Sequence, residues 1–302
     1  MEIDDIISNL KQLNLSTEPY DEVKKLLIEA GNVLYPLIVF HQGKTLTRAR
    51  PNEKGERFKN KSDFSFKPQN LNTTYQRAST PYQTMFYAGV LPDEIQEGGL
   101  NIERIIGLLE SMPWVNDKET SGYGKISYGR WVVKEDIKLI SIIFNNSYND
   151  KNNFIQDSRD NYNQIAQNID ERIIEHSVKF QKFLADEFSK KIEINTDYMI
   201  SAIFSELVCN RSDFDGIYYP STKTGGEGFN VALKPSACEK IELRVAGECS
   251  IYKRKDVCFL GNDYIVQLDG KTDSFEMEKL DDDSTDILKK IGVKSIEELK
   301  NL

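Results

Sequence analysis

The chain has 302 residues, of which 39% are hydrophobic and 29% are charged, and this composition excludes a disordered chain and allows a substantial core. The formal net charge of −9 is opposite in sign to that of proteins that grip nucleic acid over a wide surface, so no direct nucleic-acid partner is expected. No apolar run approaches the roughly 20 residues of a membrane span and the first residues are acidic where a secretory signal is basic, so we expect a cytoplasmic protein without a membrane partner.

The chain begins with two helical patterns. Residues 2–13 and 20–30 place apolar side chains at helical intervals, and Gly31 is a plausible end for the second helix. These patterns predict an N-terminal helical extension over residues 1–44.

From residue 45 the pattern changes to short strand-like runs, with the polar stretch 51–74 as a long loop of the kind that often carries function. Helical patterns follow over Tyr162–Lys190 and Asp197–Cys209. The strand-like runs are Thr45–Ala49, Thr84–Gly89, Ser127–Val133, Ile137–Phe144, Gly216–Tyr219, Phe229–Leu233, Glu239–Tyr252, Val257–Leu260 and Tyr264–Leu268. Because helices and strands intermix without regular alternation, the sequence predicts an α+β fold and not a doubly wound parallel sheet.

The remaining boundaries follow from these elements. Residues 45–270 form the predicted main domain, which contains a helical insertion over about residues 150–192. Residues 271–302 form a C-terminal tail, in which Ser295 and Glu298 are spaced like a capping box and predict a short final helix.

Several common catalytic and metal-binding signatures are missing from the sequence. There is no Gly-x-x-x-x-Gly-Lys-Ser/Thr loop, no Gly-x-Ser-x-Gly elbow and no His-Glu-x-x-His motif. The run Gly225–Gly228 lacks the context of a phosphate loop and is interpreted as a flexible loop. His41 and His176 are interpreted as surface or structural residues. Without a Cys-x-x-Cys pair no metal is expected, and the thiols are interpreted as buried and reduced; they are Cys209, Cys238, Cys249 and Cys258.

Two arginines stand in the strand-like run Leu46–Pro51. Alternation would place Arg48 and Arg50 on the same face, which is unusual for a strand that must also bury side chains. One interpretation is an exposed edge strand with solvated charges. The other is a pair of guanidinium groups that bind phosphate or carboxylate through bidentate hydrogen bonds.

Three separated segments carry a family likeness. The first is the run with Arg48. The second has Arg77 and a following Pro before Phe86-Tyr87-Ala88, and then a helix that ends in Leu108-Leu109-Glu110. The third has Tyr219-Pro220-Ser221 before Gly-Gly-x-Gly-Phe-Asn-Val-Ala-Leu. In this order they resemble the RES domain, a family named after an Arg, a Glu and a Ser. The likeness covers about residues 45–235, and the third segment is its most specific part.

The resemblance implies a mixed β-sheet core similar to that of ADP-ribosyltransferases, and the activity of NAD-consuming toxins from bacterial toxin–antitoxin pairs. It also implies a helical, Xre-like antitoxin as partner, NAD as substrate and no metal. By match of motif, the family's functional residues fall on Arg48, Tyr87, Glu110 and Ser221, with Arg77 at the place of a second arginine and Asn230 as a further NAD-binding residue.

The chemistry of NAD cleavage suits these residue types. Breaking the nicotinamide–ribose bond passes through an oxocarbenium-like transition state, which a carboxylate such as Glu110 stabilises. Arg48 and Arg77 would bind the pyrophosphate, and the Tyr87 ring would pack against the nicotinamide. Ser221 would hydrogen-bond the nicotinamide or the ribose and position the bond to be broken. The expected enzyme is an NAD glycohydrolase or phosphorylase.

This sequence departs from compact members of the family. The interval between Tyr87 and Glu110 is longer because residues 91–99 look inserted, which leaves Glu103 as a rival for the catalytic acid. Two alternative functions stay open. One is protein ADP-ribosylation at the same site, and the other is a catalytically silent module that binds NAD or an antitoxin.

Overall fold

The computed structural model describes residues 1–53, 55–91, 103–148, 153–281 and 283–302, and the side chains of Glu103 and Asn146 are outside that set. Residues 92–99 of the segment that looks inserted therefore lie outside the described residues. The helices are α1 (Ile3–Gln12), α2 (Tyr20–Glu29), α3 (Glu103–Ser111), α4 (Asn153–Ala166), α5 (Glu171–Ser189), α6 (Met199–Cys209), α7 (Ser284–Lys290) and α8 (Ile296–Lys300). No helix in the described part of the chain combines the length and the apolar character needed to cross a membrane.

The described strands form one large sheet. They are β1 (Leu37–Phe40), β2 (Thr45–Pro51), β3 (Phe86–Val90), β4 (Ser121–Val133), β5 (Ile137–Ser141), β6 (Gly216–Pro220), β7 (Phe229–Leu233), β8 (Ile241–Arg254), β9 (Val257–Gln267) and β10 (Glu278–Lys279). Their order in the sheet is β1-β5-β6-β7-β3-β2-β4-β8-β9-β10. The pair β5 and β6 is parallel and the other neighbours are antiparallel. The fold is thus α+β with a mixed sheet, as the irregular alternation predicts.

Both ends of the chain contribute to this sheet. β1 lies inside the predicted helical extension and pairs with β5, while β10 lies in the predicted tail and pairs with β9. The two strand-like runs predicted within residues 257–268 are one continuous strand, β9. The extension and the tail are therefore joined to the main domain by backbone hydrogen bonds.

The arginine-bearing strand β2 is not an edge. It lies between β3 and β4, so the interpretation as an exposed edge strand is wrong. Arg48 contacts the ring of Phe86 and Arg50 contacts that of Phe58. Both rings belong to the same buried cluster, so the two arginines share one face, as alternation predicts.

The predicted helix over 162–190 is interrupted. Residues 167–170 separate α4 from α5, and Asp170 caps α5 by accepting a hydrogen bond from the backbone N–H of Arg172. Ile165 and Ile173, which a single helix would place near one buried face, are 61% and 48% exposed. The prediction of one long helix is wrong because the cap starts a new helix with its own buried face.

Two buried clusters cover the two faces of the half of the sheet that contains β6 and β7. One joins the sheet to α1, α2, α5 and α6 and includes Ile217, Tyr219 and Ala232. The other includes Tyr218, Phe229 and Val231, the alternate residues of the same strands. This alternation decides which side chains of β6 and β7 point toward the helical face.

Candidate functional site

A carboxylate at the end of α3 meets two donors from a hairpin. Oε1 of Glu110 accepts hydrogen bonds from Oγ of Ser221 at 2.6 Å and from Nδ2 of Asn230 at 2.8 Å. Ser221 and Asn230 are buried, whereas Glu110 is half-buried. No hydrogen bond from the described residues reaches Oε2. The hydrogen bonds to Oε1 alone therefore orient the carboxylate.

The local sequence explains this convergence. Ser221 follows β6 directly and Asn230 is the second residue of β7, and the backbone N–H of Ser221 donates to the carbonyl of Gly228 at 2.8 Å. The antiparallel register places Asn230 opposite Tyr219. Because alternate residues share a face, Ser221 points to the same side as Tyr219, toward the helices. The motif Tyr-Pro-Ser before Phe-Asn therefore brings together two hydrogen-bond donors to Glu110, the side chains of Ser221 and Asn230.

The glycine-rich run between these strands is packed on two sides. A Cβ on Gly226 would lie 2.7 Å from Cγ of Tyr148, and a Cβ on Gly228 would lie 2.5 Å from Cδ1 of Ile106 in α3. The backbone N–H of Gly226 also donates to the carbonyl of Ser221 at 2.9 Å. The interpretation as a plain loop missed these contacts, which require glycine at both positions.

Tyr87 holds a turn. Its hydroxyl accepts a hydrogen bond from the backbone N–H of Ala78 at 3.0 Å and is 2.8 Å from Oγ of Ser79. Burial raises the pKa of Tyr87 to about 12, so the phenol stays protonated. The turn carries Arg77, because Gln76 and Ser79 form a β-bridge on either side of it. The hydrogen bonds of Tyr87 therefore help to fix the turn that positions Arg77.

Arg77 binds the end of α5. Its guanidinium donates to the carbonyl of Phe188, to that of Lys190 at 3.4 Å and to the hydroxyl of Tyr198 at 3.3 Å. It also stands 4.8 Å from the centre of the Tyr198 ring. A cation at the last carbonyls of a helix is favourable because these carbonyls carry partial negative charge.

The charges of Arg77 and Glu110 affect the pKa values of the same two tyrosines, Tyr148 and Tyr219. Burial raises the pKa of Tyr148 and raises that of Tyr219 strongly, while the charge of Arg77 lowers each pKa and that of Glu110 raises it. The two opposite charges therefore act electrostatically on both phenols. Sequence reasoning missed these tyrosines as site residues. Tyr219 could have been found from its place beside Pro220 and Ser221, but nothing in the sequence singles out Tyr148.

The structure does not bring Arg48 to Glu110. Ala49, the next residue, meets Gly107 of α3, so Arg48 points away from that helix. Nη1 of Arg48 donates to the carbonyl of Tyr87 at 3.0 Å, while its Nε is buried and has no hydrogen-bond partner. Burial lowers the pKa of Arg48 to about 10, which leaves it charged at neutral pH.

The other candidates for chemistry lie outside this site. The described residues contain no group of three or more His, Cys, Asp or Glu side chains that could hold a metal ion. His41 is exposed beside Asp136 at 3.1 Å, and the ring of His176 lies 2.7 Å from the carbonyl of Ala30. The cysteines are free, but Cys258 is exposed, so the interpretation of the thiols as buried does not hold for all four.

Comparison of the chain with protein-family models, with curated proteins and with solved structures found no significant match. The likeness to the RES domain and to ADP-ribosyltransferases therefore stays a prediction from the motifs.

Proposed function

We propose that this protein cleaves the nicotinamide–ribose bond of NAD at Glu110, in a fold similar to that of ADP-ribosyltransferases. The observation that carries the proposal is the hydrogen bonding of Ser221 and Asn230 to one oxygen of Glu110. These residues come from two segments more than 100 positions apart, and the motifs had assigned all three to one site.

The geometry suits cleavage of the bond between ribose and a cationic ring. In the reaction the C–N bond breaks, its electron pair leaves with nicotinamide and the ribose carbon gains positive charge. Oε2 of Glu110 would face that carbon, while Ser221 and Asn230 hold the carboxylate by Oε1. A water or phosphate oxygen then bonds to the carbon. When water is the acceptor, one of its protons passes to the solvent. The donors are in place before charge develops, which avoids reorganisation in the transition state.

Arg77 is the cation that best suits the pyrophosphate. The charges of Arg77 and Glu110 both affect the pKa values of Tyr148 and Tyr219. Arg48, in contrast, lies against Phe86 on the other side of the sheet. To bind phosphate, Arg77 would exchange the carbonyls of α5 for anionic oxygens, which form stronger hydrogen bonds. In this proposal Tyr87 positions the turn of Arg77, and Arg48 has no contact with NAD.

The first experiment incubates purified protein with NAD and resolves the products. Release of nicotinamide with free ADP-ribose identifies a glycohydrolase, and ADP-ribose 1-phosphate formed in phosphate buffer identifies a phosphorylase. Label from adenine-labelled NAD that stays on protein would instead favour protein ADP-ribosylation. Intact NAD that remains tightly bound would favour a silent binding module.

The second experiment assigns the acid. Glu110→Gln keeps the size of the side chain but removes its charge, so turnover should fall by orders of magnitude while NAD affinity changes little. Glu103→Gln, on the same helix, is the matched control and should turn over NAD like the wild type. Loss of turnover in a folded Glu103→Gln protein, with Glu110→Gln active, would move the acid to Glu103.

The proposed cellular role is that of the toxin in a toxin–antitoxin pair, with a helical, Xre-like antitoxin as partner. Expression alone in a bacterial host should stop growth and lower cellular NAD, whereas Glu110→Gln at equal expression should do neither. Growth arrest with unchanged NAD would point to protein modification. Unimpaired growth at verified expression would count against the toxin role.

A further inference from the structure

Glu206 is a buried carboxylate on α6, with a side chain that is 5% exposed. Both of its oxygens accept hydrogen bonds. Oε1 accepts from the hydroxyl of Tyr20 at 2.5 Å and from Nζ of Lys24 at 3.3 Å. Oε2 accepts from Oγ1 of Thr80 at 2.9 Å. Burying a charge costs free energy unless partners compensate it, and three donors do so here.

The donors come from two parts of the chain. The hydroxyl and the ammonium group that reach Oε1 both belong to α2, in the N-terminal extension. Thr80 directly follows the turn that carries Arg77. Glu206 therefore ties α2 and the turn of Arg77 to one side chain of α6.

Side-chain hydrogen bonds fix this turn at two points. The first is the hydroxyl of Tyr87 on β3, which accepts from the backbone N–H of Ala78 at 3.0 Å. The second is the buried side chain of Thr80, which donates to Glu206. Both points lie within three residues of Arg77, so the loss of either lets the backbone that carries the guanidinium move.

We propose that Glu206 is a positioning residue for NAD binding, because it holds the turn that presents Arg77 to the pyrophosphate and makes that turn depend on the docking of α2. This inference rests on the proposed function, in which Arg77 binds the pyrophosphate. Apolar side chains would join α2 to α6 without burying a charge. A carboxylate also provides a directed acceptor for Thr80, which an apolar side chain cannot do.

A positioning role predicts which kinetic constant changes. NAD and ADP-ribose both contain the pyrophosphate, so a loosened Arg77 weakens the binding of both. The carboxylate of Glu110 and its two donors belong to α3 and to the segments around β6 and β7, so the bond-breaking step keeps its geometry. Loss of the link through Glu206 should therefore raise KM more than it lowers kcat.

The test replaces Thr80, which breaks the link without a change in α6, and measures binding by titration calorimetry in the Glu110→Gln background. Thr80→Val removes the hydroxyl and should weaken the binding of NAD and of ADP-ribose about three- to tenfold, the usual cost of ordering a side chain that is no longer held. Thr80→Ser keeps the hydroxyl and should bind NAD like its parent. Thr84→Val is the matched control, because Thr84 is a buried threonine just before β3 that is not a donor to Glu206.

A second measurement shows whether the effect passes through Arg77. In an Arg77→Met background, Thr80→Val should change NAD affinity by less than about twofold, because the side chain that the link positions is gone. Tyr20→Phe breaks the link on the side of α2. It should also weaken NAD binding, but less than Thr80→Val does, because Lys24 still donates to the carboxylate.

The outcomes separate this inference from the proposed function. If the parent binds NAD and folded Thr80→Val binds it equally well, Glu206 does not position Arg77. An equal loss of affinity with and without Arg77 would also overturn the inference, because it would show a general effect on the fold. If Thr80→Val does not fold, Tyr20→Phe decides between the same outcomes. If the wild type neither binds nor consumes NAD, the proposed function fails and the inference fails with it.

Discussion

Gly107 of α3 lies so close to Ala49 of β2 that a Cβ on the glycine would stand 2.7 Å from the Cβ of the alanine. The backbone nitrogen of Ala49 would be 3.3 Å from the same atom. This approach sets the distance between the helix and the sheet. Since Glu110 is three residues further along α3, it also sets the depth at which the carboxylate reaches Ser221 and Asn230.

We expect Gly107→Ala to lower both stability and turnover. Alanine stabilises a helix by about 0.5–1 kcal/mol relative to glycine, but overpacking here should cost about 1–3 kcal/mol and push α3 outward. Combining it with Ala49→Gly removes the nearest atom and should recover much of the turnover. Thermal unfolding and NAD cleavage measure the two effects. A more stable Gly107→Ala protein with normal turnover would contradict the packing argument.

The two donors to Glu110 should matter for turnover. Ser221→Ala or Asn230→Ala removes a hydrogen bond to a charged group, which is worth about 1.5–3 kcal/mol, so kcat/KM for NAD should fall about ten- to a hundredfold. In a Glu110→Gln background the same changes should have much smaller effects, because the charged acceptor is gone. Thr222→Ala, next to Ser221, is the control hydroxyl. Full additivity of the losses would mean that the donors do not act through Glu110.

The two arginines should behave differently. Arg48 forms no ion pair with a described residue and has a buried Nε without a partner, so Arg48→Met should be neutral or stabilising and keep kcat/KM within about threefold. Arg77→Met should lower NAD affinity about tenfold or more through loss of a phosphate contact. Calorimetric titration with NAD compares them. A larger loss of affinity at Arg48 would restore the assignment made from the motif.

Gly225 and Gly226 form a matched pair for the loop. Both have positive φ, +62° and +89°, but a Cβ on Gly225 would meet no atom within 4 Å, whereas one on Gly226 would meet Tyr148. Gly225→Ala should therefore cost only the backbone strain, about 1–2 kcal/mol, and keep kcat/KM for NAD. Gly226→Ala should in addition displace the loop, whose N–H at Gly226 donates to the carbonyl of Ser221, and lower kcat/KM. Similar kcat/KM values for the two variants would show that the contact with Tyr148 is unimportant.

Much of the fold follows from local patterns. Period-two runs located the strands that matter for the site, and Gly31 lies just past the end of α2. Strand neighbours could not be deduced in this way, because β2 pairs with β3 and β4 through hydrogen bonds that no local pattern encodes. The break between α4 and α5 was missed because the apolar spacing continues through it, although Asp170 is a typical cap.

The candidate site was predicted in part. Glu110, Ser221 and Asn230 were assigned to one site by motif, and the structure brings them into hydrogen-bond contact. Arg48, which the motif assigned to the same site, lies on the other face of the sheet, and its place in a motif does not say which face of a strand it occupies relative to a distant helix. The contact between Ala49 and Gly107 shows which face of β2 is turned toward α3, and this contact depends on three-dimensional packing.

The hold of Arg77 on the carbonyls of Phe188 and Lys190 has a thermodynamic consequence. The guanidinium serves as the terminal cap of α5, so any anion that draws it away leaves those carbonyls uncompensated. Linkage is reciprocal: an anion that loosens the last turn of α5 must itself bind more weakly when that turn is reinforced. If Arg77 binds the pyrophosphate of NAD as proposed, the end of α5 and the proposed NAD site would share one equilibrium, and hydrogen exchange at the end of α5 would report NAD binding.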